Sequence, residues 1–266
     1  MVASEERNSV SCEDKKVVIT AGAAGIGRAM VEAFCAAGST VHVADLPGQG
    51  EGLPEGVGFS GVDVSDPADV DRLFHEATAH LGTVDVLCNN VGVSGPTGPV
   101  EELDVEDWNE TMAINVRSMF LCCRRAIPLM REAGGGSIIN TSSTAGVVGY
   151  PLRAPYASSK WAVIGLSATL AMELGEFGIR TNTICPGSVG GDRMDRVVAA
   201  EATTLGVDES EVRSRYKNQV SMRTFVEGRD IAAMAVFLAS SAARYVNGQV
   251  IAVDGGLESL RTEFRT

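Results

Sequence analysis

Short apolar runs alternate with longer amphipathic segments along most of the chain. The runs are rich in Val and Ile and end at Gly, Pro, Asn or Asp, a pattern typical of buried strands of a parallel sheet. It predicts strands near residues 17–20, 40–44, 57–62, 84–88, 137–140, 180–184 and 249–253. The apolar spacing between the strands predicts helices near residues 25–37, 66–81, 104–133, 155–177 and 229–240, with two shorter ones between 193 and 219.

Strands that alternate with helices predict an α/β fold. We expect a single-domain, Rossmann-type, doubly wound parallel sheet of about seven strands with helices on both faces. The alternation continues without a linker over residues 15–256. Residues 1–14 are expected to form a flexible N-terminal extension, and residues 257–266 a C-terminal tail. Pro128 is expected to kink the long helix that contains it.

Composition excludes several classes of protein. The 34 acidic and 22 basic residues give a net charge of −12, which disfavours binding to nucleic acid or to anionic lipid. We expect neither a signal peptide nor a membrane span. The six cysteines form no CxxC pair, and the three histidines have no partners at metal-ligand spacing. We therefore expect a cytoplasmic protein without a bound metal.

A glycine-rich turn joins the first predicted strand to the first helix. It reads TAGAAGIG over residues 20–27, with Gly22, Gly25 and Gly27. Glycines let the backbone approach a pyrophosphate, and a helix N-terminus offers unpaired N–H groups. The spacing differs from the GxGxxG fingerprint. The alternative is a tight turn that binds nothing.

Asp45 ends the second predicted strand, about 20 residues after the glycines. A carboxylate here accepts hydrogen bonds from the adenosine ribose of a dinucleotide and repels the 2′-phosphate of NADP. Ala24 and Leu46, where a basic residue would hold that phosphate, are not basic. We therefore expect NAD(H) as the cofactor. The alternative is a turn residue that precedes Pro47.

Tyr156 and Lys160 are four residues apart on the long helix after the fifth strand, and this spacing places them on one helix face. A tyrosine hydroxyl acts as a base at neutral pH only where its phenolate is stabilised. A neighbouring ammonium and an oxidised nicotinamide ring both have the charge to stabilise it. A Tyr–Lys pair on a protein surface can have the same spacing. Only the position of the motif in the chain can therefore distinguish a catalytic pair from a surface pair.

Together these features resemble the classical short-chain dehydrogenase/reductase family over about residues 15–256. The matching segments include several beyond the three motifs above. In chain order they are TAGAAGIG at 20–27, Asp63-Val64, NNVG at 89–92, Asn115, Ser142-Ser143, YASSK at 156–160, Pro186-Gly187 and GQVIAVDGG at 248–256.

The resemblance implies a role for each matching residue. Tyr156 would be the general acid/base, assisted by Lys160, which would also hold the nicotinamide ribose. Ser143, which lies 13 residues before Tyr156, would bind the substrate oxygen, and Asn115 would hold a water in a proton relay. The residues expected to bind the cofactor are Gly22, Gly25, Ile26, Gly27, Asp45, Asp63, Val64, Asn90, Gly92, Tyr156, Lys160, Pro186, Gly187 and Val189.

Three positions depart from the family pattern. Ala21 stands where the family usually has glycine, and we expect it to tighten the turn. Val91 replaces a commoner alanine and should slightly overpack its site. After Pro186-Gly187 a common threonine is missing, so the main chain of Ser188 or Val189 would contact the nicotinamide amide.

The substrate is less well defined. The candidate substrate residues are Ser143, Tyr156, Arg153, Arg193 and Met194, and Arg261 or Arg265 of the tail would join them if the tail covers a site. Arginine binds carboxylates well, although both Arg153 and Arg193 fit surface ion pairs equally. The leading hypothesis is an NAD-dependent dehydrogenase of a small polar or anionic alcohol, such as a sugar or sugar acid.

Two alternatives remain at this point. The same chemistry on an apolar or steroid-like alcohol would use the apolar residues Val147, Val148, Met194, Val197 and Met222. A non-catalytic dinucleotide-binding regulator would keep the fold without the reaction. The resemblance also implies a homotetramer, assembled through the helices at 104–133 and 154–177 and the last strand.

Overall fold

The seven predicted strands form one parallel sheet. The structure, a computed structural model, describes residues 10–257 without the side chains at positions 193, 200 and 204. The order across the sheet is β3-β2-β1-β4-β5-β6-β7, which confirms the predicted doubly wound arrangement. The strands are β1 Lys16–Thr20, β2 Thr40–Asp45, β3 Gly58–Gly61, β4 Val86–Asn89, β5 Gly136–Thr141, β6 Ile179–Pro186 and β7 Val250–Val253.

Helices cover both faces of this sheet. They are α1 Gly25–Ala36, α2 Pro67–Leu81, α3 Val105–Met112, α4 Ser118–Glu132, α5 Ala154–Leu174, α6 Asp192–Leu205, α7 Glu209–Asn218 and α8 Gly228–Ala239. One core layer lies under α2, α4 and α5 and includes Leu73, Met130 and Leu174. The other lies under α1 and α8 and includes Phe34 and Leu238. Burial of these apolar faces supplies most of the driving force for folding.

The strand order reverses between β1 and β4, which pair in the centre of the sheet although two strands separate them in sequence. The chain leaves β1 toward one edge and leaves β4 toward the other. A crevice therefore opens beyond the carboxyl ends of these two strands, at Thr20 and Asn89. In open parallel sheets this is where ligands bind.

The helix predicted over 104–133 is interrupted. A π-helical turn at Ala113–Arg117 separates α3 from α4, and it contains Asn115. Pro128 lies inside α4, which continues to Glu132. A π turn inserts one residue into the helix, and such insertions often redirect a side chain at a functional site.

Ordered contacts begin upstream of the predicted boundary at residue 15. Cys12 is only 1% exposed and belongs to the core layer under α1 and α8. Its carbonyl accepts a hydrogen bond from Ser39 Oγ at 2.8 Å, and Asp14 N donates to Gly38 O at 3.0 Å. Residues 12–14 thus contact the domain upstream of the boundary predicted at residue 15. Arg261 and Arg265 lie outside the described residues.

The six cysteines are free thiols. Over residues 10–257, no helix has both the length and the apolar character needed to cross a membrane. The same part of the chain contains no group of three or more His, Cys, Asp or Glu side chains that could hold a metal ion.

Candidate active site

The glycine-rich turn allows close approach to the backbone at the start of α1. A Cβ at Gly27 would lie 1.9 Å from the Ala21 carbonyl oxygen, and one at Gly22 would lie 2.8 Å from the Val43 side chain. Gly25 has a φ of +54°, which glycine adopts without strain. Ala24, at the N-cap of α1, has no side chain that could cap it. The first N–H groups of α1 are thus positioned to bind an anion.

Ala21 adopts a left-handed conformation, with a φ of +51°. Its N–H donates to Ala44 O at 2.7 Å, and its carbonyl accepts a hydrogen bond from Asn90 Nδ2 at 3.2 Å. The expected tightening of the turn is therefore replaced by backbone strain. The chain keeps the conformation that glycine would take, at a cost of about 1–2 kcal/mol.

Asp45 lies at the end of β2 beside the glycine-rich turn. Its Oδ2 accepts a hydrogen bond from Ala23 N at 3.0 Å, and its Oδ1 accepts one from Leu46 N at 2.8 Å. The carboxylate is half-buried, and the Leu46 side chain beside it is 55% exposed. A polar ligand that lies along the turn would thus meet this carboxylate at the edge of the crevice.

Asp63 and Val64 follow β3 at the neighbouring strand end. Asp63 is exposed, and its Oδ1 accepts a hydrogen bond from Ser65 N at 2.9 Å. Val64 is buried in the core layer under α2, so its side chain packs inside the protein. Ile26, one residue into α1, is half-buried against the opposite core layer.

The segment after β4 closes the crevice from the other side. Thr20 Oγ1 accepts hydrogen bonds from Asn90 N at 3.0 Å and Val91 N at 3.3 Å, which fixes this segment against β1. A Cβ at Gly92 would lie 3.1 Å from Lys160 Nζ and 3.4 Å from Asn115 Oδ1. Glycine at this position therefore lets the main chain pass directly beside the lysine. Val91 packs half-buried against the core.

Tyr156 and Lys160 occupy the first two turns of α5, on one face as predicted. Lys160 is 4% exposed, and its Nζ donates to the Thr141 carbonyl at 3.1 Å. The same Nζ lies 5.7 Å from the centre of the Tyr156 ring. Tyr156 itself is half-buried, so its ring is accessible from the crevice. A buried ammonium next to an accessible phenol is suited to proton transfer.

Asn115 joins the segment after β4 to α5. Its Oδ1 accepts from Val93 N at 2.7 Å, and its Nδ2 donates to Val93 O and to Ser159 Oγ, both at 2.9 Å. Ser159 Oγ in turn donates to the Tyr156 carbonyl at 2.7 Å. One N–H donor of the Asn115 amide therefore holds the segment after β4, and the other holds the helix turn that presents Tyr156.

The two serines after β5 have different surroundings. Ser142 is buried, and its hydroxyl donates to the Lys160 carbonyl at 2.8 Å. Ser143 is half-buried, and its Oγ accepts a hydrogen bond from Ala145 N at 3.2 Å. This leaves the Ser143 O–H as the donor that a ligand could use. The short helical turn that follows Ser143 packs against α5, which carries Tyr156.

The segment after β6 reaches the same side of the sheet. Pro186 pairs with Val253 at the end of the strand, and a Cβ at Gly187 would lie 2.8 Å from Asp254 Cα. Val189 forms a bridge with Val226, in which Ser188 O and Gly190 N are bonded. In a parallel bridge the N–H and C=O of Val189 itself point away from Val226. They are therefore not used in the bridge.

The candidate substrate residues are placed differently from one another. Arg153 lies beside Tyr156, with its Cζ 5.2 Å from the centre of the Tyr156 ring. Met194 is buried in a small cluster of α6 and α7 residues that includes Val198 and Val212. The backbone of Arg193 belongs to α6, and its side chain lies outside the described part of the structure.

Three contributing residues were not predicted from the sequence. Thr141 offers the carbonyl that holds Lys160, and Ser159 links Asn115 to the main chain of Tyr156. Tyr216 of α7 donates a hydrogen bond to Glu201 Oε2 at 2.9 Å, and burial together with this carboxylate raises the pKa of Tyr216. Of these three, only Ser159 lies inside a sequence motif, YASSK at 156–160.

Comparison with known proteins gives consistent matches over nearly the whole chain. A family model described as enoyl-(acyl carrier protein) reductase matches residues 21–258. D-threitol dehydrogenase of Mycolicibacterium smegmatis is 35% identical over 252 residues, which cover 92% of this chain and 93% of that protein. Trans-4-hydroxycyclohexanecarboxylate dehydrogenase of Sinomonas cyclohexanicum is 36% identical over 257 residues, with 91% and 92% covered. The crystal structure of levodione reductase matches at a TM-score of 0.86 and 30% identity, and the match covers 93% of this chain and 98% of that one.

Proposed function

Because the chain belongs to the short-chain dehydrogenase/reductase family, we propose that it is an NAD(H)-dependent enzyme that interconverts a secondary alcohol and a ketone. The observation that carries the proposal is the position of Tyr156. Its ring is accessible and lies 5.7 Å from the buried Lys160 ammonium, on a helix turn held by Asn115 and Ser159.

In this proposal Tyr156 is the general acid/base. Its phenolate oxygen accepts the proton of the substrate hydroxyl during oxidation and returns it during reduction. The Lys160 ammonium stabilises the phenolate, and the Ser143 hydroxyl donates a hydrogen bond to the substrate oxygen. Asn115 is a positioning residue, since its side-chain amide is used within the protein.

The crevice fits a dinucleotide. Gly22, Gly25 and Gly27 let a pyrophosphate approach the uncapped N-terminus of α1. Between this turn and Tyr156, the dinucleotide would contact Asn90, Gly92 and the main chain near Val189. When bound, the nicotinamide supplies the hydride acceptor or donor of the reaction. The protein supplies the geometry, the proton transfer and the exclusion of water.

We assign NAD rather than NADP on the basis of Asp45. Its carboxylate accepts a hydrogen bond from Ala23 N of the glycine-rich turn. It therefore lies beside the position that we expect for an adenosine ribose. The exposed neighbour, Leu46, has no charge with which to hold a 2′-phosphate. A ribose with free hydroxyls can donate to the carboxylate, whereas a phosphate would be repelled by it.

The substrate we favour is a small polar or anionic secondary alcohol. Arg153 provides a positive charge beside Tyr156, and the relatives are named for a polyol and for a hydroxy acid. An apolar alcohol is the second candidate, since Val148 and Met222 are exposed apolar side chains. A regulator without activity would not need Lys160 buried beside Tyr156.

We further propose that the protein acts as a homotetramer in the cytoplasm. The exposed face of α5 carries apolar side chains, among them Trp161 and Met172, and Phe120 of α4 is also exposed. Apolar residues gathered on an exposed helix face favour self-association. Six free cysteines, five of them buried, suit a reducing compartment.

The test is a screen of NADH formation with polyols, sugars, sugar acids, cyclic hydroxy acids and hydroxysteroids, with NAD and NADP in parallel. The proposal predicts turnover of a polar or anionic alcohol, faster with NAD. Turnover of hydroxysteroids alone would favour the apolar alternative. No turnover of any alcohol, together with tight NAD binding, would favour a regulator.

A further inference from the structure

Arg153 is an uncompensated cation at the start of α5. It occupies the N-cap position of this 21-residue helix, where the helix dipole already gives a positive potential. A cation at this end of a helix is unfavourable, and an anion is favourable. Lys160, two turns further along the same helix, adds a second positive charge on the crevice side.

The guanidinium of Arg153 is held in place but only partly hydrogen-bonded. Its Nη2 donates to the Ser94 carbonyl at 2.7 Å, in the segment that follows β4. Its Cζ lies 5.2 Å from the centre of the Tyr156 ring and 5.9 Å from that of Tyr150. These aromatic contacts orient the guanidinium plane beside the general acid/base.

One nitrogen of this group has no acceptor among the described residues. Within residues 10–257, Arg153 Nε is buried and has no hydrogen-bond partner. Leaving a charged donor buried and unpaired costs more free energy than leaving a neutral one. Arg153 as a whole is half-buried, so an acceptor of a ligand would reach the guanidinium at its accessible part and offset the cost of the unpaired Nε through the shared charge.

The nearby carboxylate does not supply that acceptor. Glu201 accepts its hydrogen bond from Tyr216, whose ring lies close enough for Arg153 to influence its pKa. In the described part of the chain no ion pair includes Arg153, whereas Arg213 of the neighbouring α7 is paired with Asp195 at 2.8 Å. What sets Arg153 apart is its place, since its guanidinium lies beside the ring of the proposed general acid/base Tyr156.

We propose that Arg153 is the anion receptor of the active site and that the substrate is a hydroxy acid. The substrate carboxylate accepts a charge-assisted hydrogen bond from the accessible part of the Arg153 guanidinium, while its secondary hydroxyl faces Tyr156. A carboxylate fits better than a neutral hydroxyl because it also neutralises the charge at the helix start. This inference rests on the proposed function for the identity of the reacting group.

The first experiment compares a hydroxy acid with its neutral analogue. The probes are trans-4-hydroxycyclohexanecarboxylate and its methyl ester, which differ in the charge and in one methyl group. We expect Arg153→Gln to lower kcat/KM for the acid by about 10-fold to 100-fold and that for the ester by less than about 3-fold. Arg153→Lys should recover part of the loss for the acid, because it keeps the charge. Arg213→Gln, a neighbouring arginine that is already paired, should leave both values unchanged.

The second experiment measures binding without turnover. Cyclohexanecarboxylate lacks the reacting hydroxyl, so its Kd for the NAD-loaded protein reports the anion receptor alone. We expect Arg153→Gln to raise this Kd by about 10-fold or more, with Arg153→Lys between the two. The methyl ester of cyclohexanecarboxylate is the neutral control. The inference would be overturned if the wild type bound this ester as tightly as the acid, or if Arg153→Gln weakened the binding of acid and ester equally.

The two proposals fail in different ways. If Arg153→Gln weakens carboxylate binding but the wild type oxidises no alcohol, the proposed reaction is wrong and the anion receptor stands. If the wild type oxidises alcohols and Arg153→Gln affects the acid and ester alike, the anion receptor is wrong and the reaction stands.

Discussion

Lys160 Nζ lies 5.7 Å from the centre of the Tyr156 ring and donates a hydrogen bond to the Thr141 carbonyl at 3.1 Å. The ammonium is thus fixed between the end of β5 and the aromatic ring four residues before it. Gly92 permits this, because any side chain there would contact the Nζ. The arrangement couples the sheet edge to the helix that carries the proposed general acid/base.

Cofactor preference should depend on Asp45 and Leu46. The double variant Asp45→Asn, Leu46→Arg keeps the hydrogen-bond acceptor toward Ala23 N, removes the negative charge and adds a guanidinium. We expect kcat/KM with NADP to rise by about 10-fold or more and that with NAD to fall, since each charge-assisted contact to phosphate contributes about 1.5–3 kcal/mol. Initial rates with each cofactor measure this.

Asp45→Asn alone serves as the control for the fold of the turn. It should bind NAD less well and NADP somewhat better, with an unchanged Tm. If the double variant still uses NAD in preference to NADP by the wild-type ratio, Asp45 does not select the cofactor.

The turn after β1 should respond in opposite ways to two substitutions. In Gly27→Ala, the new Cβ would lie 1.9 Å from Ala21 O, so the turn must shift, at a cost of about 3 kcal/mol or more and with loss of NAD binding. In Ala21→Gly, release of about 1–2 kcal/mol of strain outweighs the entropy cost of about 0.5–1 kcal/mol. We expect Ala21→Gly to raise the Tm by about 2 °C. A lower Tm for Ala21→Gly would mean that the φ of +51° carries no strain.

A buried histidine makes stability depend on pH. His42 is 3% exposed, its Nε2 lies 2.8 Å from Ser60 Oγ, and Ser60 donates to the Glu76 carboxylate. Burial lowers the pKa of His42 to about 4, helped by His80 and opposed by Glu76. Because the Ser60 O–H donates to Glu76, Ser60 Oγ accepts a hydrogen bond from His42, so His42 has a proton on Nε2; its lowered pKa makes it neutral at pH 7.

This group destabilises the fold in acid. The unfolded chain takes up a proton near pH 6.5 and the folded protein only near pH 4, so the contribution is complete above pH 6.5 and is lost as the pH falls toward 4. We expect the protonation of His42 to lower the free energy of unfolding by up to about 3 kcal/mol as the pH falls from 6.5 to 4. Urea unfolding at pH 7.5, 5.5 and 4.5 measures the slope. His42→Gln should flatten it, whereas exposed His75→Gln should not, and equal slopes for all three proteins would contradict the assignment.

Self-association should depend on the exposed face of α5. Met172 is 87% exposed there, so Met172→Glu would place a charge in the proposed interface. We expect size-exclusion chromatography with light scattering to find a tetramer for the wild type and smaller species for Met172→Glu. Glu173→Gln, at the next exposed position, should remain tetrameric. A monomeric wild type would contradict the proposed assembly.

Much of the architecture follows from local sequence. The β-branched runs end at turn residues and the helices between them have amphipathic spacing, so element type and sheet topology could be predicted. Asp66 illustrates the local rule, since it caps α2 by accepting from Ala68 N and Asp69 N, directly before Pro67. Capping residues and glycines act within a few positions, and a sequence displays them openly.

Features that depend on contacts between distant segments could not be predicted. The π turn at Ala113–Arg117 lies where Asn115 reaches both Val93 and Ser159, which are far apart in the chain. Cys12 packs because the residues before β1 lie over the start of β2. Similarly, the hydrogen bond of Arg153 to the Ser94 carbonyl joins two segments that are far apart in the chain.

The most direct test of the account is Tyr156→Phe, which removes one oxygen and keeps the ring beside Lys160 and Arg153. On an alcohol that the wild type oxidises with NAD, we expect kcat/KM to fall by about 100-fold to 10,000-fold. Because the ring stays, the Kd for NADH measured by fluorescence should change by less than about 3-fold. A variant that keeps wild-type turnover would contradict the assignment of Tyr156 as the general acid/base.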